Sequence, residues 1–222
     1  MCKKLIRNSF MISQTKVLLI NSITTGVDFH NTDHLYHFPL GLLYLASVLR
    51  KNNLAVKIVD FNNLYCSKVL KGQLSGCTPQ KYIENFFFQC IGDFMPDIVG
   101  VGCIFSGAFE CAKIIARKAK EFFPDIPVVI GGIHATIFSA EILKECDYID
   151  YVVIGEGEET LLKLIKYINH DGQTMDPLDG IAFRKNGQII KKNKTTFISN
   201  LDELPSVDFD ILDLKNLAKL SK

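Results

Sequence analysis

Glycines and a carboxylate follow two apolar runs of this sequence, and together they carry its clearest chemical signal. Gly131 and Gly132 come directly after one such run. Because glycine has no Cβ, two in a row let a large, flat ligand approach the main chain closely. Gly155 and Gly157 flank Glu156 after another run, which places a hydrogen-bond acceptor on open backbone. These residue types favour ligand binding, although the glycine pair alone is equally typical of a tight turn.

Ser106 and Gly107 follow a further apolar run, and two interpretations of them stay open. The Ser106 hydroxyl can face a ligand, or it can cap the helix that follows. For Glu158 and Glu159, one interpretation is that they simply complement the dipole of the helix that they begin. Glu156, held between two glycines, is the better candidate for a hydrogen bond to a ligand.

Motifs of the common nucleotide-binding and hydrolytic enzymes are missing from the sequence. It contains no phosphate loop of the Walker type, and Gly100-Val-Gly102 lacks the third glycine of a dinucleotide fingerprint. Neither a nucleophile elbow nor a close Cys–His pair is present. The seven cysteines are scattered without any Cys-x-x-Cys spacing, which predicts reduced thiols, with Cys90, Cys103 and Cys111 packed as small apolar residues.

The elements that would hold these residues alternate between strands and helices. Five short apolar runs predict strands buried on both faces, at 16–21, 55–60, 97–103, 127–131 and 151–154. Helices are predicted over 39–49, 80–92, 108–123 and 137–146, with a last one ending at about 169, whereas 61–79 is expected to be irregular. This alternation predicts an α/β fold with a doubly wound, flavodoxin-like, five-stranded parallel sheet.

Right-handed crossovers place every strand-to-helix loop of such a sheet on its carboxyl edge, where open parallel sheets bind ligands. Ser106, the glycine pair and the Gly-Glu-Gly segment are therefore expected to share one rim. The domain is expected to span 16–175, after a flexible leader at 1–15. Residues 176–222 are expected to form a hairpin about Asn186-Gly187, an extended exit at 200–205 and a short helix at 213–221.

Charge and hydropathy exclude several classes of partner. The 25 basic and 24 acidic residues nearly cancel, so nothing favours nucleic acid or an anionic membrane. No apolar run approaches the roughly 20 residues that span a bilayer, and the basic N-terminus lacks the apolar core of a signal peptide. We therefore expect a cytoplasmic protein, and the sequence leaves its oligomeric state open.

Five segments in this order resemble the N-terminal cobalamin-binding domain of B12-dependent radical SAM enzymes. They are Pro39-Leu-Gly-Leu-Leu-Tyr-Leu-Ala, Asp97-Ile-Val-Gly-Val, Gly131-Gly-Ile-His-Ala-Thr, Val153-Ile-Gly-Glu-Gly-Glu and Leu201-Asp-Glu-Leu-Pro. The resemblance covers about residues 16–212. It implies a corrinoid that lies across the carboxyl edge of the sheet, with its nucleotide tail beside the loops after the third and fourth strands.

The resemblance also assigns candidate site residues. Ser106 with its neighbour Gly107, together with Gly131 and Gly132, would line the tail, and a bulky residue at Gly132 is then expected to abolish corrinoid retention. Gly155, Glu156 and Gly157 would flank the macrocycle. His134 would contact the edge of the ligand or, as an alternative, pack at the start of a helix.

The catalytic half of such enzymes has no counterpart in this sequence. The family continues into a barrel whose Cys-x-x-x-Cys-x-x-Cys motif holds an iron–sulfur cluster, and this triplet is missing here. S-adenosylmethionine and the cluster are therefore expected only in an absent C-terminal domain. The chain is expected to be a fragment, or a protein that has lost its catalytic half, and to perform no radical chemistry alone. In the full enzyme, of methyltransferase type, methylcobalamin would donate a methyl group to a substrate radical.

The sequence also departs from related cobalamin domains at the position of the axial cobalt ligand. Cobalamin domains of the methionine synthase type use Asp-x-His-x-x-Gly after the first strand, whereas this sequence has Asp28-Phe-His30-Asn-Thr-Asp33. His30 is thus a candidate cobalt ligand, with a surface-loop histidine as the alternative.

Two other functions stay open: a flavodoxin-like structural or docking domain that has lost its ligand, and an FMN or nucleotide-sugar binder on the same edge.

Overall fold

Seven strands form one mixed sheet in the part of the chain that the computed structural model describes, which comprises residues 14–25, 38–169 and 178–212. The spatial order of the strands is β2-β1-β3-β4-β5-β6-β7, with the first five parallel and the last two antiparallel. The strands are β1 Lys16–Asn21, β2 Ala55–Asp60, β3 Ile98–Gly102, β4 Val128–Gly131, β5 Tyr151–Val153, β6 Ile181–Lys185 and β7 Gln188–Lys192. The doubly wound parallel sheet is confirmed, and the predicted hairpin extends it from five strands to seven.

Helices cover both faces of this sheet. Two of them, α1 and α7, pack on one face with the inward side chains of Val17 and Leu19, while α2 to α6 pack on the other with Leu18 and Ile20. The helices are α1 Leu40–Lys51, α2 Phe61–Leu70, α3 Pro79–Ile91, α4 Phe109–Phe122, α5 Ile133–Ile137, α6 Ser139–Glu145 and α7 Glu158–Asn169. Successive residues of a strand alternate between the two faces, so each parallel strand contributes to both cores.

The prediction of an irregular segment over 61–79 was wrong, because helix α2 occupies its first half. Asp60 ends β2 and caps this helix by accepting a hydrogen bond from the backbone N–H of Asn63. Phe61 is fully buried and meets the Tyr82 ring of α3 edge-on at 6.4 Å. Packing of aromatic side chains stabilises a helix whose sequence has little amphipathic periodicity, which explains why the pattern did not reveal it.

The segment after β4 also differs in detail from the prediction. A single helix was expected over 137–146, whereas the chain forms α5 directly after Gly132 and then α6, with a break at Phe138.

Burial raises the pKa of the Cys103 and Cys111 thiols to about 12, which agrees with their packing as small apolar residues. Within the described ranges, no helix is both long and apolar enough to cross a bilayer.

The hairpin is fastened to the α/β core by Arg184 of β6. Its guanidinium donates to the carbonyl oxygens of Leu143, Cys146 and Ile149 at 2.7–2.9 Å, around the C-terminal end of α6. The turn uses Asn186 and Gly187, which both have positive φ as the Asn-Gly pattern predicts. The hairpin therefore belongs structurally to the sheet.

The chain after the hairpin returns across the same core. Burial alone would raise the pKa of Asp179, but hydrogen bonds from the backbones and hydroxyls of Thr195 and Thr196 outweigh it and hold that pKa well below its usual range. Further along, Asp208 pairs with Arg50 of α1 at 2.6 Å, and Leu212 is buried in the core on the α1/α7 face of the sheet. The expected leader at 1–15, apart from its last two residues, and the expected helix at 213–221 lie outside the described residues.

Candidate functional site

A groove of about 220 Å³ opens at the carboxyl edge of the sheet, between α1 and α7. It extends down over the face of the sheet that carries Leu19, Val129 and Val153. Its lining is mainly apolar side chains and glycine backbone. Of the predicted site residues, Gly131, Gly132, Gly155, Glu156 and Gly157 line this groove.

Glycines in two adjacent strands form the floor of the groove. Gly100 and Gly102 share the α1/α7 face with Ile98, because residues two apart in a strand point the same way. Gly131 of β4 is paired with Gly102 across the ladder, and Asn21 of β1 is paired with Gly102 on its other side. At this point the sheet carries no side chains, so a ligand could reach down to the backbone of β3 and β4. The sequence contained a signal for this floor in Gly100-Val-Gly102, because two glycines two residues apart face the same side of a strand. From the sequence alone, the motif was used only to exclude a dinucleotide fingerprint.

Leucines of the two helices form the walls. Leu42 and Leu45 project from α1, and Leu161 projects from α7. A Cβ placed on Gly157 would lie 3.1 Å from Leu45 Cδ2, so glycine at this position leaves room for the α1 side chain. The three leucines were missed from the sequence because helical periodicity marks them only as core residues.

The Gly155-Glu156-Gly157 segment forms the mouth of the groove. Gly155 has φ +73°, and its N–H donates to Thr136 Oγ1 at 2.9 Å. Glu156 lines the groove and also accepts a hydrogen bond from the backbone N–H of Ile198 through Oε2, at 2.9 Å. One carboxylate oxygen of Glu156 therefore already holds the segment that follows the hairpin.

Gly132 joins the loops after β3 and β4. Its φ is +107°, and a Cβ at this position would lie 2.4 Å from the carbonyl oxygen of Cys103. No side chain fits there, so the close approach of two backbones requires glycine. Thr136 bonds the Gly132 carbonyl through both its N–H and its Oγ1, and Oγ1 also accepts from Gly155. Thr136 therefore links the two glycine loops.

Ser106, Gly107 and His134 lie together on the neighbouring part of the rim, outside the groove lining. Ser106 Oγ and His134 Nδ1 are 3.0 Å apart. The carbonyl oxygen of Gly107 accepts from both N–H and Oγ1 of Thr25, and a Cβ on Gly107 would lie 2.7 Å from the Thr25 carbonyl oxygen. Gly107 is thus needed for the packing of two loops. The other candidate, His30, lies outside the described residues, and its role as a cobalt ligand stays a prediction.

A buried carboxyl group supports the groove from the side of β2. Asn21, which lines the groove, donates through Nδ2 to Asp60 Oδ1 at 2.9 Å, and Asn63 Nδ2 donates to Oδ2 at 2.6 Å. Burial raises the pKa of Asp60 to about 6, although the hydrogen bonds from Asn21 and Asn63 oppose the rise. Asp60 therefore orients the Asn21 amide at the edge of the site.

We expect Asp60→Asn to remove a pH dependence from the stability of the chain. The folded-state pKa of Asp60 lies above the unfolded value of 3.8, so its contribution to stability is complete below pH 3.8 and is lost as the pH rises through about 6. From about pH 4 to about pH 7, the free energy of unfolding should fall by roughly 1 to 3 kcal/mol relative to that of Asp60→Asn. Urea unfolding across this range measures the difference, and parallel profiles for the two chains would contradict it.

Comparison with known proteins identifies the domain family. The family model for the B12-binding domain matches residues 30–165. An uncharacterized methyltransferase of Pyrococcus horikoshii is 32% identical over 79% of this chain and 34% of its own length. The cytidylyl-2-hydroxyethylphosphonate methyltransferase of Streptomyces wedmorensis is 30% identical over 84% of this chain and 34% of its own length. The chain thus spans about a third of the length of these relatives.

Solved structures show the same fold. The cobalamin-dependent S-adenosylmethionine radical enzyme OxsB, with aqua-cobalamin and S-adenosylmethionine bound, aligns with 94% of this chain and 26% of its own, at a TM-score of 0.63 and 21% identity. The radical S-adenosylmethionine methyltransferase TsrM from Kitasatospora setae, with cobalamin and a [4Fe-4S] cluster bound, aligns with 86% of this chain and 31% of its own, at a TM-score of 0.57 and 20% identity. The family model, which matches more than half of the sequence, shows that this chain belongs to the B12-binding domain family, whose cofactor is cobalamin.

Proposed function

We propose that the groove receives the nucleotide tail of cobalamin and that the corrin ring lies across the carboxyl edge of the sheet. The single observation that carries this proposal is the floor of Gly100, Gly102 and Gly131, which leaves an apolar slot beneath the mouth of the groove. A planar aromatic base suits a narrow slot of this kind, since flat apolar groups pack well against glycine backbone and leucine side chains. Leu42, Leu45 and the floor glycines would hold the base.

The rim suits the macrocycle for two reasons. The Glu156 carboxylate between Gly155 and Gly157 lines the groove, and it is an acceptor that suits the amide side chains of a corrinoid. Large apolar side chains also stay exposed on the loop after β3 and in and directly after α5, and exposed apolar surface of this kind marks interaction sites. They are Ile104, Phe105, Ile133, Ile137 and Phe138, exposed by 41–61%.

When bound, cobalamin would supply a cobalt-bound methyl group for transfer. The residues of this chain would bind and orient the cofactor, and they offer no metal-binding cluster of their own within the described ranges. We propose that the chain serves as the cobalamin-carrying part of a radical SAM methyltransferase in the cytoplasm. The iron–sulfur cluster and S-adenosylmethionine would then belong to a partner domain. The names of the relatives, and the third of their length that this chain spans, support this assignment.

Reconstitution with hydroxocobalamin tests the proposal. After desalting, we expect about one equivalent of corrinoid to stay with the chain, with a visible spectrum that differs from that of the free cofactor. No retained corrinoid would contradict the proposal and favour a docking domain without a ligand. Parallel loading with FMN separates the third possibility, because a retained flavin spectrum would favour a flavin site on the same edge.

A further inference from the structure

The imidazole of His134 is a buried polar group with a single hydrogen-bond partner. Its residue surface is 8% exposed, and the ring lies between Phe109 and Phe138, with ring centroids 4.6 Å and 4.8 Å away. Nδ1 lies 3.0 Å from Ser106 Oγ. Nε2 is buried and finds no hydrogen-bond partner among the described residues. These contacts determine which ring nitrogen carries the proton.

These surroundings favour the tautomer with the proton on Nδ1. Burial lowers the pKa of His134, so at neutral pH the ring is uncharged and only one of its nitrogens is protonated. Buried N–H groups without an acceptor are rarer in proteins than acceptors with an unused lone pair, so the unpartnered Nε2 is the better place for the lone pair. With the proton on Nδ1, His134 donates to Ser106 Oγ, and only a lone pair is buried between the two phenyl rings.

The direction of this bond decides what Ser106 offers to a ligand. Because its oxygen accepts from His134, the hydroxyl hydrogen of Ser106 is free to donate elsewhere. Ser106 is exposed and opens the 3₁₀ turn Ser106–Ala108, in the loop that leaves the carboxyl end of β3. Ile104 of the same loop lines the groove. The Ser106 hydroxyl therefore lies on the rim as a hydrogen-bond donor, and its orientation is set by the bond that it accepts from His134.

We propose that His134 is a positioning residue that holds Ser106 as a hydrogen-bond donor to an acceptor atom on the nucleotide tail of cobalamin. This inference rests on the proposed function and specifies the polarity of one contact within it. Two acceptors on the tail have the required chemistry: a phosphodiester oxygen and an unprotonated ring nitrogen of the base. With the opposite tautomer, Ser106 would donate its hydrogen to His134 Nδ1. Only lone pairs would then face the ligand, and neither acceptor on the tail could form a hydrogen bond with them.

Nitrogen-15 NMR of the chain without cobalamin tests the tautomer directly. The two-bond correlations of an imidazole distinguish a protonated from an unprotonated nitrogen, and His134→Phe assigns the signals among the five histidines. We expect a protonated Nδ1 and an unprotonated Nε2 at neutral pH. A protonated Nε2 would overturn the inference, whatever the chain binds.

Binding measurements test the role of the pair. Ser106→Ala should weaken cobalamin binding about 3- to 10-fold, the usual effect of one hydrogen bond. His134→Phe keeps the aromatic packing and loses the donor, so it should weaken binding about 2- to 5-fold. His134→Gln retains an N–H donor and should restore part of this loss. Tighter binding by His134→Phe would show that His134 had been sequestering the hydroxyl, and would overturn the inference.

Analogues and a matched variant complete the design. Ser75→Ala, at an exposed serine in the loop before α3, should bind cobalamin as the parent chain does. Cobinamide, which lacks the tail, should bind the parent and Ser106→Ala equally, and a defect with cobinamide would contradict a tail contact. Cobinamide phosphate separates the two acceptors: a persisting defect assigns the phosphate, and a lost defect assigns the ring nitrogen. Failure of the parent chain to bind cobalamin would contradict the proposed function itself, whereas normal binding with a protonated Nε2 would contradict only the role of His134.

Discussion

Replacing Gly131 with valine should abolish cobalamin retention while the chain stays folded. Gly131 ends β4 on the α1/α7 face, and its backbone lines the groove. A Cβ at this position would lie 3.7 Å from Val153 Cβ, an ordinary van der Waals contact, and valine suits a strand. Its two methyl groups would fill the slot between Gly102 and the wall of the groove. Close-packed sites tolerate little added volume, so we expect affinity to fall by at least about 100-fold.

Equilibrium binding of cobalamin, followed by its visible spectrum, measures this effect. Ile130→Val is the matched control, because Ile130 lies in the same strand and faces the opposite core. Both variants should unfold close to the parent temperature, and only Gly131→Val should lose cobalamin. Binding of cobinamide should survive in Gly131→Val, because that corrinoid has no tail to enter the slot. Unchanged cobalamin binding by Gly131→Val would remove the floor glycines from the site.

Replacing Gly132 with alanine should instead destabilise the whole domain. The added Cβ would lie 2.4 Å from the Cys103 carbonyl oxygen and 2.7 Å from its carbon, at a φ of +107°. Backbone strain and steric overlap together should cost about 3 kcal/mol or more. For a chain of this size, that corresponds to a fall in melting temperature of roughly 6 to 12 °C.

Thermal unfolding followed by circular dichroism provides the measurement. Gly131→Ala is the control, since its Cβ meets no atom closer than 3.7 Å, and its melting temperature should change little. A Gly132→Ala chain with the parent melting temperature would show that the loops after β3 and β4 can separate without cost. The loss of corrinoid retention expected from a bulky residue at Gly132 stays a prediction, and the structure adds that any side chain there would disturb the packing of two backbones.

The sequence predicted the sheet well because buried parallel strands leave strong local signals. Each of the five apolar runs became a strand, and their loops meet on one rim as right-handed crossovers require. The glycine pair and Gly155-Glu156-Gly157 were recognised for the same reason, since residues without side chains at strand ends are visible locally. The floor glycines Gly100 and Gly102 were overlooked as groove-lining residues, because their place in the groove depends on which face of the sheet α1 and α7 cover.

Long-range pairings lay beyond the reach of the sequence. The Asn-Gly turn predicted the hairpin, but nothing local indicated that β6 would pair with β5 and continue the sheet. Helix α2 depends on aromatic contacts with α3, which a periodicity search cannot reveal. The partner of Glu156 is Ile198, 42 residues away, so the sequence indicated an acceptor without showing what it accepts from.

The hydrogen bond between Glu156 and Ile198 links the groove to the segment that follows the hairpin. Glu156 lines the groove and at the same time holds Ile198, while the buried side chain of Lys194 crosses Gly155 and donates to Thr160 of α7. A ligand that draws the Glu156 carboxylate toward itself must compete with the backbone N–H of Ile198. If a ligand weakens the contact between Glu156 and Ile198 by some factor, thermodynamic reciprocity requires that displacing the segment at Ile198 changes the affinity of the groove by that factor. We therefore expect a ligand that displaces the Glu156 carboxylate to release the segment at Ile198 as well.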